Sequence, residues 1–392
     1  MRTWILSLLV LLSGCAHVQQ PSISNGRVAS LLNDAAFAAP ARPVDAGGLF
    51  DLSPAMQRHL ASTRFQALLR EHGKTKGLIH ALYDTSELKL DYDSSYTGTA
   101  AETYAARQGN CLSLVIMTAA FARRLGLSVR FQDVQFEDTW SRDQALYLVS
   151  SHVNLSLAPR GPRTDDDYDA SAMLTIDFVP GMALSRQRVR YLSETDIVAL
   201  YMNNRAAEEL AQGRVADAYW WARGAVLKKP ALSAAYNTLG VVYQRSGQPV
   251  LAEQVYRAAL ERDPDSLVVL QNLAPLLAAN GKKEEAEQLT QRAARLYPAP
   301  PYHFFNQAMA AYKAGNFAQA RMLFAREVAR APYNDEFHFW LGIANLQLGE
   351  LNTAEKQLAL ARDMSVRSDA RERYSAKLAH LRGMAPRTGA QR

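Results

Sequence analysis

Cysteine is nearly absent: the 392 residues hold two, Cys15 and Cys111. Two cysteines cannot build a disulfide framework, and no Cys/His set stands at zinc-ligand spacing, so no metal is implied. A Gly-rich phosphate loop is missing, as is any aromatic-basic motif of the kind that holds nucleic acid. Those absences set aside nucleotide chemistry, nucleic-acid binding and organic cofactors. The net charge is +6, yet residues 362–392 alone hold eight Lys or Arg against three Asp or Glu. The excess is therefore a terminal feature and not a basic groove.

The chain opens MRTWILSLLVLLSG, one basic residue followed by a short apolar run. A membrane span needs about twenty apolar residues, so this pattern reads as an export signal over residues 1–14. The run closes in Leu12-Ser13-Gly14-Cys15, which resembles the lipobox of bacterial lipoproteins. The resemblance implies cleavage before Cys15, attachment of lipid (palmitate among the acyl chains) and anchoring at a membrane surface without a span. Ala16 in the next position would favour the outer membrane of a diderm envelope, with the chain facing the periplasm. Lipid on Cys15 leaves Cys111 as the one thiol of the mature chain, in a compartment where an unpartnered thiol is a liability.

From about residue 199 the sequence repeats every 34 residues. Glycines stand at 213, 247, 281, 315 and 349, alanines at 218, 252, 286, 320 and 354, and prolines at 230, 264, 298 and 332. Each Gly is expected to end the first helix of a pair in the left-handed conformation. Each Ala is expected where paired helices approach closely, and each Pro to close the unit. The unit resembles the tetratricopeptide repeat (TPR), best in the copy carrying Tyr236, Leu239, Gly240, Tyr243, Ala252, Tyr256, Ala259 and Pro264. The resemblance implies an all-α TPR solenoid of five repeats over 199–367, a capping helix at 368–383 and a basic tail at 384–392. Such a solenoid binds a protein or peptide on its concave surface.

The first half has another grammar. Residues 15–48 read as the lipidated N-terminus and a linker, and 49–197 as a separate α+β domain. FDLSPAMQRHL starts on a Ser-Pro helix signal. FQDVQF, LYLVSSHVNLSL and AMLTIDFVP are apolar and β-branched with stretches of alternation, so they read as strands. Between the last two, PRGPRTDDDYDAS reads as a solvated hairpin tip.

Cys111 lies in RQGNCLSLVIMTAAFARRLGL, where apolar residues recur through four turns before Arg123-Arg124 and Gly126. That puts the thiol in the first turn of a buried helix, where the helix dipole and first-turn N–H groups favour thiolate and can hydrogen-bond an oxyanion. A thiolate nucleophile needs an imidazole and a group to orient it. His152 is the one histidine of this half on an expected strand, and Asp177 is a carboxylate among apolar neighbours on the next. A carboxylate there is costly unless hydrogen-bonded, which His152 would provide.

That order of Cys at a helix start, His on a strand and Asp on the next strand resembles the transglutaminase-like superfamily of papain-like cysteine enzymes. GNC with its helix and LGL, then SHVNL, then IDFVP, led in by YDSSYTGTAAETYAARQ, carry the resemblance. It implies a domain in which the Cys-bearing helix packs on an antiparallel sheet. Cys111 would be the nucleophile, His152 the general base and acid, and Asp177 the orienter. Gln108, Asn110 and Tyr104 are the candidate side-chain donors to the oxyanion, beside the backbone N–H of Cys111. The implied chemistry is attack on a peptide or isopeptide amide, with hydrolysis favoured over transamidation. The alternative is a non-enzymatic, lipid-anchored TPR scaffold whose first domain is catalytically silent.

Overall fold

The computed structural model describes residues 25–83, 88, 90–93, 96–143, 146–159, 173–178, 188–332, 334–365 and 368–384. Cys15 and the acidic stretch 160–172 lie outside them. The N-terminal half begins with α1 (Asn25–Ala29), a 3₁₀ turn (Asp34–Ala36), α2 (Pro54–Ala61) and α3 (Thr63–Tyr83). Ser53 caps α2 by accepting from the Met56 amide, with Pro54 in the first helical position. Strand β1 (Asp91–Tyr92), α4 (Ala100–Ala106), β2 (Gln108–Gly109) and α5 (Cys111–Arg124) follow. The strands β3 (Leu127–Asp143), β4 (Leu146–Pro159), β5 (Leu174–Ile176) and β6 (Arg188–Leu192) form an antiparallel sheet in the order β5-β4-β3-β6. β1 and β2 pair separately and in parallel.

Helix α5 is apolar on every side, and each residue from Cys111 to Ala122 is buried. It packs across β3 and β4 and also against α3 and α4. An α-helix buried all round cannot sit at a surface; it can only be the centre of a layer structure. The sheet supplies Phe131, Val153, Leu155, Leu157 and Ile176 to the same apolar core.

The second half is five helix pairs: α6 (Glu194–Ala211) with α7 (Val215–Lys228), α8 (Ser233–Arg245) with α9 (Pro249–Arg262), α10 (Leu267–Ala279) with α11 (Lys283–Leu296), α12 (His303–Lys313) with α13 (Phe317–Arg330), and α14 (Asp335–Gln347) with α15 (Leu351–Met364). α16 (Ser368–Met384) closes the stack. The 34-residue registers have the physical roles anticipated for them. The five glycines have φ of 74°, 73°, 82°, 77° and 77°, which L side chains avoid, and each follows the first helix of a pair. The five alanines are all buried. Buried carboxylates pin the joints: Glu327 accepts from the amides of Phe304 and Phe305 at 2.8 and 3.0 Å, which satisfies the start of α12.

Two boundaries differ from those expected. Helix α6 begins at Glu194, inside the span assigned to the first domain, because Ser193 and Asp196 form a capping box there. Residues 27–44, within the expected linker, lie against the repeats instead. Phe37 stacks on Tyr219 at 4.0 Å, and the Tyr219 hydroxyl donates to Asp34 at 2.6 Å. The Tyr243 hydroxyl donates to the Leu31 carbonyl at 2.8 Å, and the Trp220 indole N–H to Ala38 at 2.7 Å. The aromatic partners sit in the repeats, so the docking of this stretch is not encoded by its own pattern.

Gly240 tests the packing of the repeats. A Cβ there would stand 2.4 Å from the ring of the fully buried Tyr256. Gly240→Ala should lower stability by about 1–3 kcal/mol in urea denaturation, the usual cost of overpacking. Gly383→Ala, with nothing within 4 Å, should leave the midpoint unchanged.

Candidate active site

The thiol site is built from the start of α5. Asn110 has extended backbone and caps the helix: its Oδ1 accepts from the Ser113 amide at 2.9 Å and from the Ser113 hydroxyl at 2.9 Å. Its Nδ2 donates to Thr97 Oγ1 at 2.7 Å, and the Gly98 amide donates to Ser113 Oγ at 2.9 Å. Gly109 is required here by space, since a Cβ would stand 2.7 Å from the Cβ of Ser113. Cys111 is thus the first residue of a capped helix, a buried thiol 6% exposed. The amides of Cys111 and Leu112 come before the first intrahelical acceptor and point out of the helix end.

The other two expected residues lie on or beside the sheet that α5 packs against. α5 is about 21 Å long at 1.5 Å per residue. Gly126 (φ 72°) then reverses the chain into β3, which runs back along the helix. The seven steps from Leu127 to Val134 cover about 23 Å, close to the length of α5. Val134 is the register partner of His152 on β4. The ladder becomes irregular just beyond that pair, between Val134 and Thr139, as sheets commonly do beside functional sites. Asp177 follows β5 directly and is half-buried. By strand alternation Asn154 and Ser156 lie on the face opposite Val153, Leu155 and Leu157, the residues that share the apolar core with α5.

That face is polar and buried. Gln132 Nε2 donates to Ser156 Oγ at 2.9 Å, and the hydroxyls of Ser156 and Thr175 hydrogen-bond at 2.7 Å. Asn154, 1% exposed, has neither side-chain Oδ1 nor Nδ2 hydrogen-bonded. Two unmet polar atoms at such depth cost free energy. Sequence reasoning passed over Asn154; its place two residues from His152 on an alternating strand was the available signal.

The three oxyanion candidates separate. Gln108 is exposed, and its Nε2 lies 3.4 Å from Asp93 Oδ2. Asn110 has its carbonyl oxygen committed to the helix cap. Tyr104 is misplaced for the role: its ring packs on His59 and on Phe121, ten residues and about 15 Å along α5 from Cys111. The helix-end amides are the donors that remain. Among the described residues no group of three His, Cys, Asp or Glu could hold a metal ion, and no helix is long and apolar enough to cross a membrane.

The site is joined to the first repeat. Glu208 on α6 accepts from the Thr97 amide at 2.7 Å and from Arg205 at 2.9 Å. Arg205 also lies 4.7 Å over the Tyr96 ring. Farther along, α6 contacts β3 and β6, while β4 contacts α8 and α10. The residues Ala235–Tyr243 of α8 are consecutively buried, whereas α12 leaves Asn306, Gln307 and Ala310 exposed.

Two tetratricopeptide-repeat family models match residues 243–310 and 305–365. The C-terminal half is a TPR solenoid. Among solved structures, one described as the functional characterisation of Pseudomonas aeruginosa PilF is 21% identical, covering 49% of this chain and 96% of that one, with a TM-score of 0.29. A thermophilic TPR protein of Thermus thermophilus is 20% identical over 46% of this chain and 99% of its own, with a TM-score of 0.31. YrrB, described as a TPR protein with an unusual peptide-binding site, is 18% identical over 45% and 92%, with a TM-score of 0.25. Comparison with curated proteins gives no match.

Glu208 makes the junction sensitive to pH. Burial pushes its carboxyl from 4.5 to about 7, against the opposing pull of the Thr97 hydrogen bond and Arg205. The folded state therefore binds this proton more tightly than the unfolded chain. Its contribution to stability is complete below about pH 4.5 and is lost as pH rises through about 7. Glu208→Gln should flatten that dependence, gaining about 2 kcal/mol over wild type at pH 8 and nothing near pH 4 in thermal melts.

Proposed function

We propose that this chain is a lipid-anchored cell-envelope thiol enzyme of the transglutaminase-like class, with a TPR solenoid that holds its substrate or partner. The reading is supported by Cys111 opening a capped, buried helix that packs on β3 and β4, with His152 on β4 and Asp177 directly after β5. In this reading His152 takes the thiol proton and Asp177 orients the resulting imidazolium. The thiolate attacks the carbonyl carbon of a peptide or isopeptide amide, and helix-end amides hydrogen-bond the oxyanion. His152 protonates the amine as the C–N bond breaks, leaving a thioester on Cys111. Water then attacks that thioester, His152 serving as base; an amine in its place would give transamidation.

The partner surface in this proposal is the α12 and α14 end of the solenoid, because β4 already lies against α8 and α10. The anchor is Cys15, placing the protein at the outer membrane and facing the periplasm. The depth of Cys111 favours a second reading, a TPR scaffold with a silent first domain, since a thiol only 6% exposed must gain access to react.

Iodoacetamide alkylation across pH separates the two readings. The enzyme reading gives a midpoint for Cys111 well below the roughly 8.5 of ordinary cysteine, raised by His152→Ala. An inert thiol, or one indifferent to His152, leaves the scaffold. The anchor has its own check: Cys15→Ala should abolish palmitate labelling and release the protein from the membrane fraction, and retention of either would refute it.

A further inference from the structure

We infer that Glu208, on the first repeat helix, is a positioning residue for the Cys111 thiol, acting through Thr97 and the Asn110 cap. The inference deepens the thiol-enzyme reading and depends on it for its purpose. Its geometry stands alone.

The segment Tyr96–Gly98 is irregular backbone between β1 and α4, so its amides have no ladder to join. Two of them find side chains on opposite sides. The Thr97 amide donates to Glu208 Oε1 at 2.7 Å, toward the repeats, and the Gly98 amide donates to Ser113 Oγ at 2.9 Å, toward α5. The Thr97 hydroxyl in turn accepts from Asn110 Nδ2 at 2.7 Å. Asn110 is the residue immediately before Cys111, and its Oδ1 closes the first turn through Ser113. An unbroken path of three residues therefore runs from a carboxylate on α6 to the cap of the thiol helix. Thr97 and Ser113 are fully buried and Asn110 nearly so, which leaves water no easy way to replace a lost partner.

Glu208 is held rigidly enough to serve. Arg205 bonds its other oxygen at 2.9 Å, reaches Glu209 at 3.5 Å and covers the Tyr96 ring at 4.7 Å. Arg214 ties Glu209 from the far side. The segment is thus gripped at Tyr96 and Thr97 by a charged cluster of the first repeat. Loss of Glu208 strands the Thr97 amide, lets the segment slide and loosens the cap that fixes the thiol against its helix end. The repeats are then more than a holder of partners, because their first helix sets the geometry of the nucleophile.

The test uses the full chain without its signal and lipid-bearing cysteine, and reads the pH profile of Cys111 alkylation beside a thermal melt. Glu208→Ala should raise the alkylation midpoint and leave about three- to tenfold less thiolate at pH 7, the range expected when a helix-end interaction is lost. Glu208→Gln keeps an oxygen for the Thr97 amide and should restore the wild-type profile. Thr97→Val removes the acceptor for Asn110 and should shift the midpoint in the same direction, with the Glu208→Ala/Thr97→Val pair less than additive. A folded Glu208→Ala protein with an unmoved midpoint overturns the inference. So does Glu208→Gln moving as far as Glu208→Ala. Should Glu208→Ala fail to fold, an unmoved midpoint in Thr97→Val overturns it equally. A thiol that responds to Glu208 but not to His152 sinks the enzyme reading alone; the reverse sinks the positioning role alone.

Discussion

The N-terminal half depends on one constraint: α5 has no face it can show to water. Twelve consecutive residues from Cys111 to Ala122 are buried, so sheet, α3 and α4 must close around the helix before anything else is fixed. Each large apolar side chain among them contributes about 1.5–3 kcal/mol on burial. That burial also commits the polar end of the helix. Its first amides cannot reach bulk water, which is why Asn110, Ser113, Thr97 and Gly98 form a closed hydrogen-bonded set beneath the thiol. The same set presents Cys111 at a helix end of partial positive charge, the setting in which a thiolate is stabilised.

The two halves share one core. Residues 27–44 run along the repeats through Phe37, Asp34 and Leu31, and Arg123 at the end of α5 pairs with Glu194 at the start of α6 at 2.6 Å. At the other end of α6, Glu208 takes the Thr97 amide. The first repeat is therefore part of the α+β domain's own packing, and β4 extends the contact to α8 and α10. Arg205 of that repeat faces the junction, bonded to Glu208 and lying over the Tyr96 ring.

Much of this was legible in the sequence. The glycine, alanine and proline registers anticipated every helix pair, because each residue type answers a local backbone or packing demand that repeats every 34 positions. The α5 start and the strands of β3 to β5 were legible for the same reason: periodicity reports burial. What escaped was non-local. The stretch 27–44 is held by tyrosines and a tryptophan about two hundred residues away, partners that no local pattern points to. Tyr104 stood near Cys111 in sequence yet faces the far end of α5, since α4 crosses the helix in a direction no spacing encodes. Glu208 and Asn154 acquire meaning only when the sheet and first repeat are in place.

The central claim is that Cys111 ionises as a member of a thiolate–imidazolium pair. The most direct measurement is the ultraviolet absorbance of the thiolate, titrated from acid to alkali and taken as the difference between the protein and its Cys111→Ser variant. A poised pair gives thiolate absorbance already present well below pH ~8.5, with a further step where the imidazolium loses its proton. Absorbance that appears only at or above ~8.5, in a single step, would contradict the account.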